Sequence, residues 1–208
     1  MIYGNESAVL AELLERYPAL NGVGNDIEAA YTMLKDSYES GGKVLCCGNG
    51  GSEADCDHIV GELMKGFLLK RPIKHKALNG DEDILGHLQG ALPAVSLCSH
   101  TALLTAFAND LDFDYAYAQQ VYALGRKGDV LIALSTSGNS AGVVNAVRAA
   151  GAAGVKSLAV TGMKESRLSE LASVTIKLPE TETFKIQELT LPLYHCLCAM
   201  LERHFFEN

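Results

Sequence analysis

The 208-residue chain has no tryptophan, five prolines and no run of lysine or arginine, and nowhere do about 18 apolar residues follow one another without interruption. The missing apolar run excludes a membrane-spanning helix of ordinary length. The missing basic run, with 25 acidic against 17 basic residues and a formal charge of -8, excludes electrostatic capture of nucleic acid or of an anionic membrane as the primary role. Phosphate binding stays open, because backbone N–H groups, hydroxyls and helix N-termini bind it without net positive charge. Six cysteines are present, but none form a C-x-x-C pair or a zinc-knuckle spacing, so they read as buried thiols of a cytoplasmic protein. The opening MIYGNESAVL lacks a basic stretch followed by a long apolar one, which agrees with a cytoplasmic location.

What is present is enough apolar residue, 48% of the chain, to build a full core in one domain spanning 1–208. Helical periodicity covers 5–17 and 26–40, an N-terminal helical arm (1–40) that precedes any strand. After Gly41-Gly42 short apolar runs at 43–47, 94–97, 130–134, 157–160 and 174–177 alternate with helical patterns at 53–67, 101–108, 115–124, 141–152 and 166–172. A long helix at 183–206 closes the chain. This alternation predicts an α/β fold with a five-stranded parallel sheet flanked by helices. One stretch, 74–90, is charged and glycine-rich and reads as an insertion with a short helix near 84–88.

Two loops carry the chemistry. Gly48-Asn49-Gly50-Gly51-Ser52 follows the first strand and enters a helix; its glycines admit a close-lying anion or sugar, and Ser52 either caps the helix or donates to a ligand. Ser135-Thr136-Ser137-Gly138-Asn139-Ser140 follows the third strand and also enters a helix. Its four hydroxyls exceed what capping requires and suit a tetrahedral phosphate, while the missing P-loop lysine argues against nucleoside triphosphate hydrolysis. His58 and Glu62 stand four residues apart on the helix after the first loop and so share a face. Taken alone, such a pair is more often an ordinary hydrogen-bonded pair than an active site. Gln187 and His195 lie eight apart on the last helix, about 80° from alignment, and helical geometry alone would pair Glu188 with His195 better.

GNGGS, STSGNS and a C-terminal helix beginning Ile186-Gln187-Glu188 resemble the sugar isomerase (SIS) domain of the phosphoheptose isomerase family over nearly the whole chain. The resemblance implies a flavodoxin-like sheet, a homotetramer with active sites at subunit interfaces, and isomerisation of sedoheptulose 7-phosphate, a phosphorylated sugar. It implies Glu62 and His195 as catalytic acid/base groups, and His58, Glu62, Gln187 and His195 as ligands of a zinc ion. Asn49, Gly50, Gly51, Ser52, Asn109, Asp110, Ser135, Thr136, Ser137, Ser140 and Gln187 are then the substrate-binding candidates. Asn109-Asp110 reads equally well as a helix-ending turn. Two departures stand out: Thr190, where many members carry histidine, and Pro192 inside the last helix, where a kink would shift His195. The sequence around Ala123-Leu124-Gly125 and Cys196-Leu197-Cys198 also resembles non-catalytic relatives, the DnaA initiator-associating proteins, and a phosphosugar-sensing module is a third reading. The retained Glu62 and His195 favour an enzyme.

Overall fold

The computed structural model describes residues 5–73 and 81–207. Among them the elements run α1 (Asn5–Arg16), α2 (Gly24–Glu39), β1 (Val44–Cys47), α3 (Gly51–Met64), α4 (Glu82–His87), β2 (Ala94–Ser96), α5 (Thr101–Asp110), α6 (Ala116–Leu124), β3 (Val130–Leu134), α7 (Ala141–Ala152), β4 (Lys156–Gly162), α8 (Arg167–Leu171), β5 (Val174–Leu178) and α9 (Thr183–Phe206). The short apolar runs form strands because helices cover both of their faces: every residue of β1 and β3 is buried.

All neighbouring strands are parallel, in the order β2-β1-β3-β4-β5, with Val44 opposite both Ala94 and Val130, and Val130 opposite Lys156. Side chains of alternate residues point to opposite faces of such a sheet. Ile132, Leu134, Leu158 and Val160 meet Leu34 of α2, Ile59 and Leu63 of α3, and Leu193 and Leu197 of α9. On β3 and β4 the alternate residues Leu131, Ala133 and Ala159 are fully buried, and α7, which packs on both strands, contributes buried Val143, Ala146 and Val147. The arm helix α1 lies outermost, against α9.

The order β2-β1-β3 places the chain's change of winding direction between β1 and β3. Loops leaving the carboxyl ends of strands at such a point diverge and leave a crevice. Both GNGGS and STSGNS leave from there. Of the 74–90 insertion, residues 74–80 lie outside the described residues. Its remainder contains α4, which starts two residues before the expected 84–88 and is capped by the Asp81 side chain, accepting from Ile84 N at 3.2 Å. Despite Pro192, α9 is continuous from Thr183 to Phe206.

Candidate functional site

Each glycine of the first loop meets a separate demand. A side chain on Gly48 would come within 2.7 Å of Ser52 O, and Gly50 adopts φ +59°, a left-handed backbone that other residues rarely take. A Cβ on Gly51 would strike Gln187 Nε2 at 2.6 Å, so the Gln187 side chain rests on the loop. Tyr117 OH donates to Gly48 O at 2.7 Å and lies 3.2 Å from Asn49 Oδ1, and Cys98 Sγ donates to Gly48 O at 3.3 Å. Hydrogen bonding with Cys56 draws the Cys98 thiol down to about 7 against the opposing effect of burial. Gly50 occupies the N-cap position of α3, and Ser52 is buried in the first turn without a capping bond. The capping reading of Ser52 is therefore corrected, because the loop's tight turn at Gly50 starts the helix earlier.

The hydroxyl loop is equally constrained. Gly138 has φ +64°, and a Cβ there would lie 2.1 Å from Ser166 Oγ. Ser135 Oγ donates to Ser140 Oγ at 3.1 Å, Ser137 Oγ accepts from Asn139 N at 3.1 Å, and Asn139 Oδ1 accepts from Arg167 N at 3.0 Å. These bonds leave the hydroxyl protons of Thr136, Ser137 and Ser140 for a ligand at the N-terminus of α7. Thr136 and Ser137 line a cavity of about 270 Å³ whose other walls include Lys164 of the loop after β4 and Thr183 of α9. Lys164 and Thr183 were not singled out from sequence; they arrive from separate segments further along the chain.

At the other end, α3 and α9 bring three side chains together. His58 Nε2 is 3.1 Å from Glu62 Oε1 and 3.5 Å from His195 Nε2. The Glu62 side chain is 12% exposed, and its second oxygen accepts from Lys65 Nζ at 3.3 Å. Burial, and then the positive field of His58, depress the His195 pKa below the ordinary histidine value, with Glu62 acting in the other direction. His195 is thus neutral at neutral pH. Pro192 does not carry it out of reach.

Among the described residues no three His, Cys, Asp or Glu side chains are arranged around one point as a metal site. Two imidazoles and a carboxylate are donor types that zinc takes. The Gln187 side chain rests over Gly51 at the start of α3. Asn109 and Asp110 are exposed in the last turn of α5 and bond to each other at 2.9 Å, with no hydrogen bond to either loop among the described residues.

Sequence reasoning missed the support behind α3. Arg71 is 1% exposed; its guanidinium donates to the carbonyls of Leu63 and Glu62 at 2.8 and 3.0 Å and to Glu202 Oε1 at 2.7 Å. Glu202 also accepts from the backbone N–H groups of Phe67, Leu68 and Leu69. This pair ties the end of the helix bearing Glu62 to α9. The 131 residues separating the partners in sequence hide it from any local pattern.

A parallel sheet with two glycine-containing loops leaving its switch point, and a His–Glu–His cluster on α3 and α9, places the chain among α/β proteins with a ligand-type crevice. The SIS domain family matches residues 9–162. Phosphoheptose isomerases from Desulfovibrio desulfuricans and Rhodospirillum rubrum are 40% and 39% identical to this chain, over 85% of it in both cases and over 79% and 84% of their own lengths. The solved structure of the Neisseria gonorrhoeae phosphoheptose isomerase is 32% identical, covers 94% of this chain and 96% of its own, and superposes with a TM-score of 0.75. The chain belongs to the SIS-domain phosphoheptose isomerase family and is an isomerase. The reading as a non-catalytic SIS protein is set aside accordingly. No helix among the described residues is long and apolar enough to cross a membrane.

Proposed function

We propose that this phosphosugar isomerase converts sedoheptulose 7-phosphate to D-glycero-D-manno-heptose 7-phosphate through an enediol. The observation that carries the reading is the meeting of Glu62, His58 and His195 on α3 and α9, α3 starting directly from the first switch-point loop. Glu62 is the base that removes the proton from C1 of the ketose and returns it at C2. Neutral His195 relays the hydroxyl proton, giving one to O2 as the enediol forms and taking one from O1 as the aldehyde forms.

Thr136, Ser137, Ser140, Lys164 and the N-terminus of α7 bind the phosphate, and Asn49 with the Gly50-Gly51 backbone contacts the hydroxyls of the chain. Fixing the far end of the sugar in this way aligns C1 and C2 with the acid/base pair. His58, Glu62, Gln187 and His195 would hold zinc, which would polarise the carbonyl oxygen and stabilise the oxyanion; ligation and proton transfer compete for the lone pairs of Glu62 and His195. Ketose phosphates of five to seven carbons, offered with and without a chelator in deuterated water, test the proposal. Sedoheptulose 7-phosphate is expected to be consumed fastest and to gain solvent deuterium. Failure to isomerise or label that substrate overturns it.

A further inference from the structure

The residue before His195 points elsewhere. Tyr194 is buried on α9, and its hydroxyl turns back to α3, 3.2 Å from Asp55 Oδ1 and 2.9 Å from His58 Nδ1. A phenol has a single proton and cannot donate to both neighbours at once. A phenol keeps that proton at neutral pH.

The two acceptors are not equivalent. The Asp55 carboxylate has Tyr194 as its one hydrogen-bond donor among the described residues, and leaving a half-buried carboxylate without a donor is costly. Glu62, on the other side of His58, takes Lys65 Nζ on its Oε2, while its Oε1 faces His58 Nε2. The tyrosine proton therefore goes to Asp55, the phenol oxygen turns its lone pair to His58 Nδ1, and Nδ1 must carry the ring hydrogen. Nε2 then faces Glu62 Oε1 and His195 Nε2 at 3.1 and 3.5 Å with no hydrogen of its own, a meeting of lone pairs that a proton or a divalent cation has to bridge.

We propose that Tyr194, backed by Asp55, is a positioning residue that fixes His58 as its Nδ1–H tautomer and so holds the Nε2 lone pair in the reaction centre, open to a proton or a divalent cation. Imidazoles that bind cations are commonly held this way by a carboxylate; here a phenol stands between the two. The inference deepens the reading of His58, Glu62 and His195 as the reaction centre, and rests on it for its functional consequence but not for the tautomer.

Tyr194→Phe removes one oxygen and retains the ring, which packs edge-on against both His58 and His195 at 5.4 and 5.0 Å between centroids. Nitrogen-15 NMR of ring-labelled protein, at a pH where the imidazoles are neutral and with His58 assigned by its absence in His58→Gln, reads the tautomer directly. The wild type is expected to show Nδ1–H at His58 and Tyr194→Phe to show Nε2–H, now donated to Glu62. Zinc affinity, measured by competition with a chromophoric chelator, is expected to fall about 10- to 100-fold in the variant. Its kcat is expected to drop with KM for the sugar phosphate unchanged. An Nε2–H tautomer in the wild type, or the same tautomer in both proteins, overturns the inference. If the wild type turns over no sugar phosphate, the reaction-centre reading fails, and the tautomer spectra alone decide the positioning role.

Discussion

Glu62 sits between a histidine and a lysine, with only an eighth of its side chain in contact with solvent. Glu62→Gln keeps the volume and much of the hydrogen bonding but cannot accept a proton from carbon, so turnover is expected to fall about 100- to 10,000-fold with substrate binding retained. Deuterium exchange into the sugar should vanish with it, because enediol formation itself is blocked. Zinc content has to be compared in parallel, since loss of a ligand would imitate loss of the base; a zinc-replete variant that exchanges and isomerises at the wild-type rate rules the assignment out. Ser137 tests the opposite end of the substrate. It is exposed at the mouth of the cavity that Thr136 and Lys164 also line. Ser137→Glu removes a donor and adds like charge next to a phosphate, and KM should rise roughly 10- to 100-fold while thermal unfolding is unchanged. Unaltered saturation kinetics would place the phosphate in another loop.

Between elements, the Arg71–Glu202 pair determines how α3 meets α9. Both side chains are essentially out of water. Glu202→Gln leaves a buried guanidinium without its counter-charge and weakens the acceptor for three backbone N–H groups, so a loss of about 3–5 kcal/mol is expected in a denaturant titration. Pairing it with Arg71→Met should recover part of that loss, and a fully additive double variant would show that the two act separately.

This is also the level at which legibility changes. Strands β1 to β5 and the helices between them were readable because buried parallel strands are short continuous apolar runs and helices keep their own period. His58 and Glu62 were readable because their relation is one helical turn. The contact of Gln187 with Gly51 and the bond from Tyr194 to Asp55 were not, since each depends on where α9 crosses α3, which no spacing within either segment encodes. Pro192 was misleading for a related reason: a proline predicts local strain, yet α9 is held on three sides by α1, α2 and α3 and continues through it.

At the scale of the whole molecule, the apolar surface left over argues for assembly. Helix α5, with sequence TALLTAFAND, is one of the more apolar helices of the chain and buries none of its residues. Beside it Leu111 is 71% and Tyr122 77% exposed, and together with Phe107 and Tyr115 they line an open groove. A single sheet with its helices has no further layer to offer these side chains. At about 25 cal/mol for each Å² removed from water, covering such a face repeatedly around a closed symmetric oligomer is a substantial driving force. We propose the homotetramer that the sequence resemblance implies, with α5 and the turn after it at a subunit contact. Sedimentation at micromolar concentration is expected to give a species of four chains, and a stable monomer would refute it. Leu111→Asp with Tyr122→Glu should break the contact while leaving the far-ultraviolet circular dichroism unchanged, because neither side chain supports the core. If active sites lie at the interfaces, this variant should also lose activity in proportion to its dissociation and regain it as protein concentration is raised; full activity in a dilute monomer would show that one chain holds the complete site.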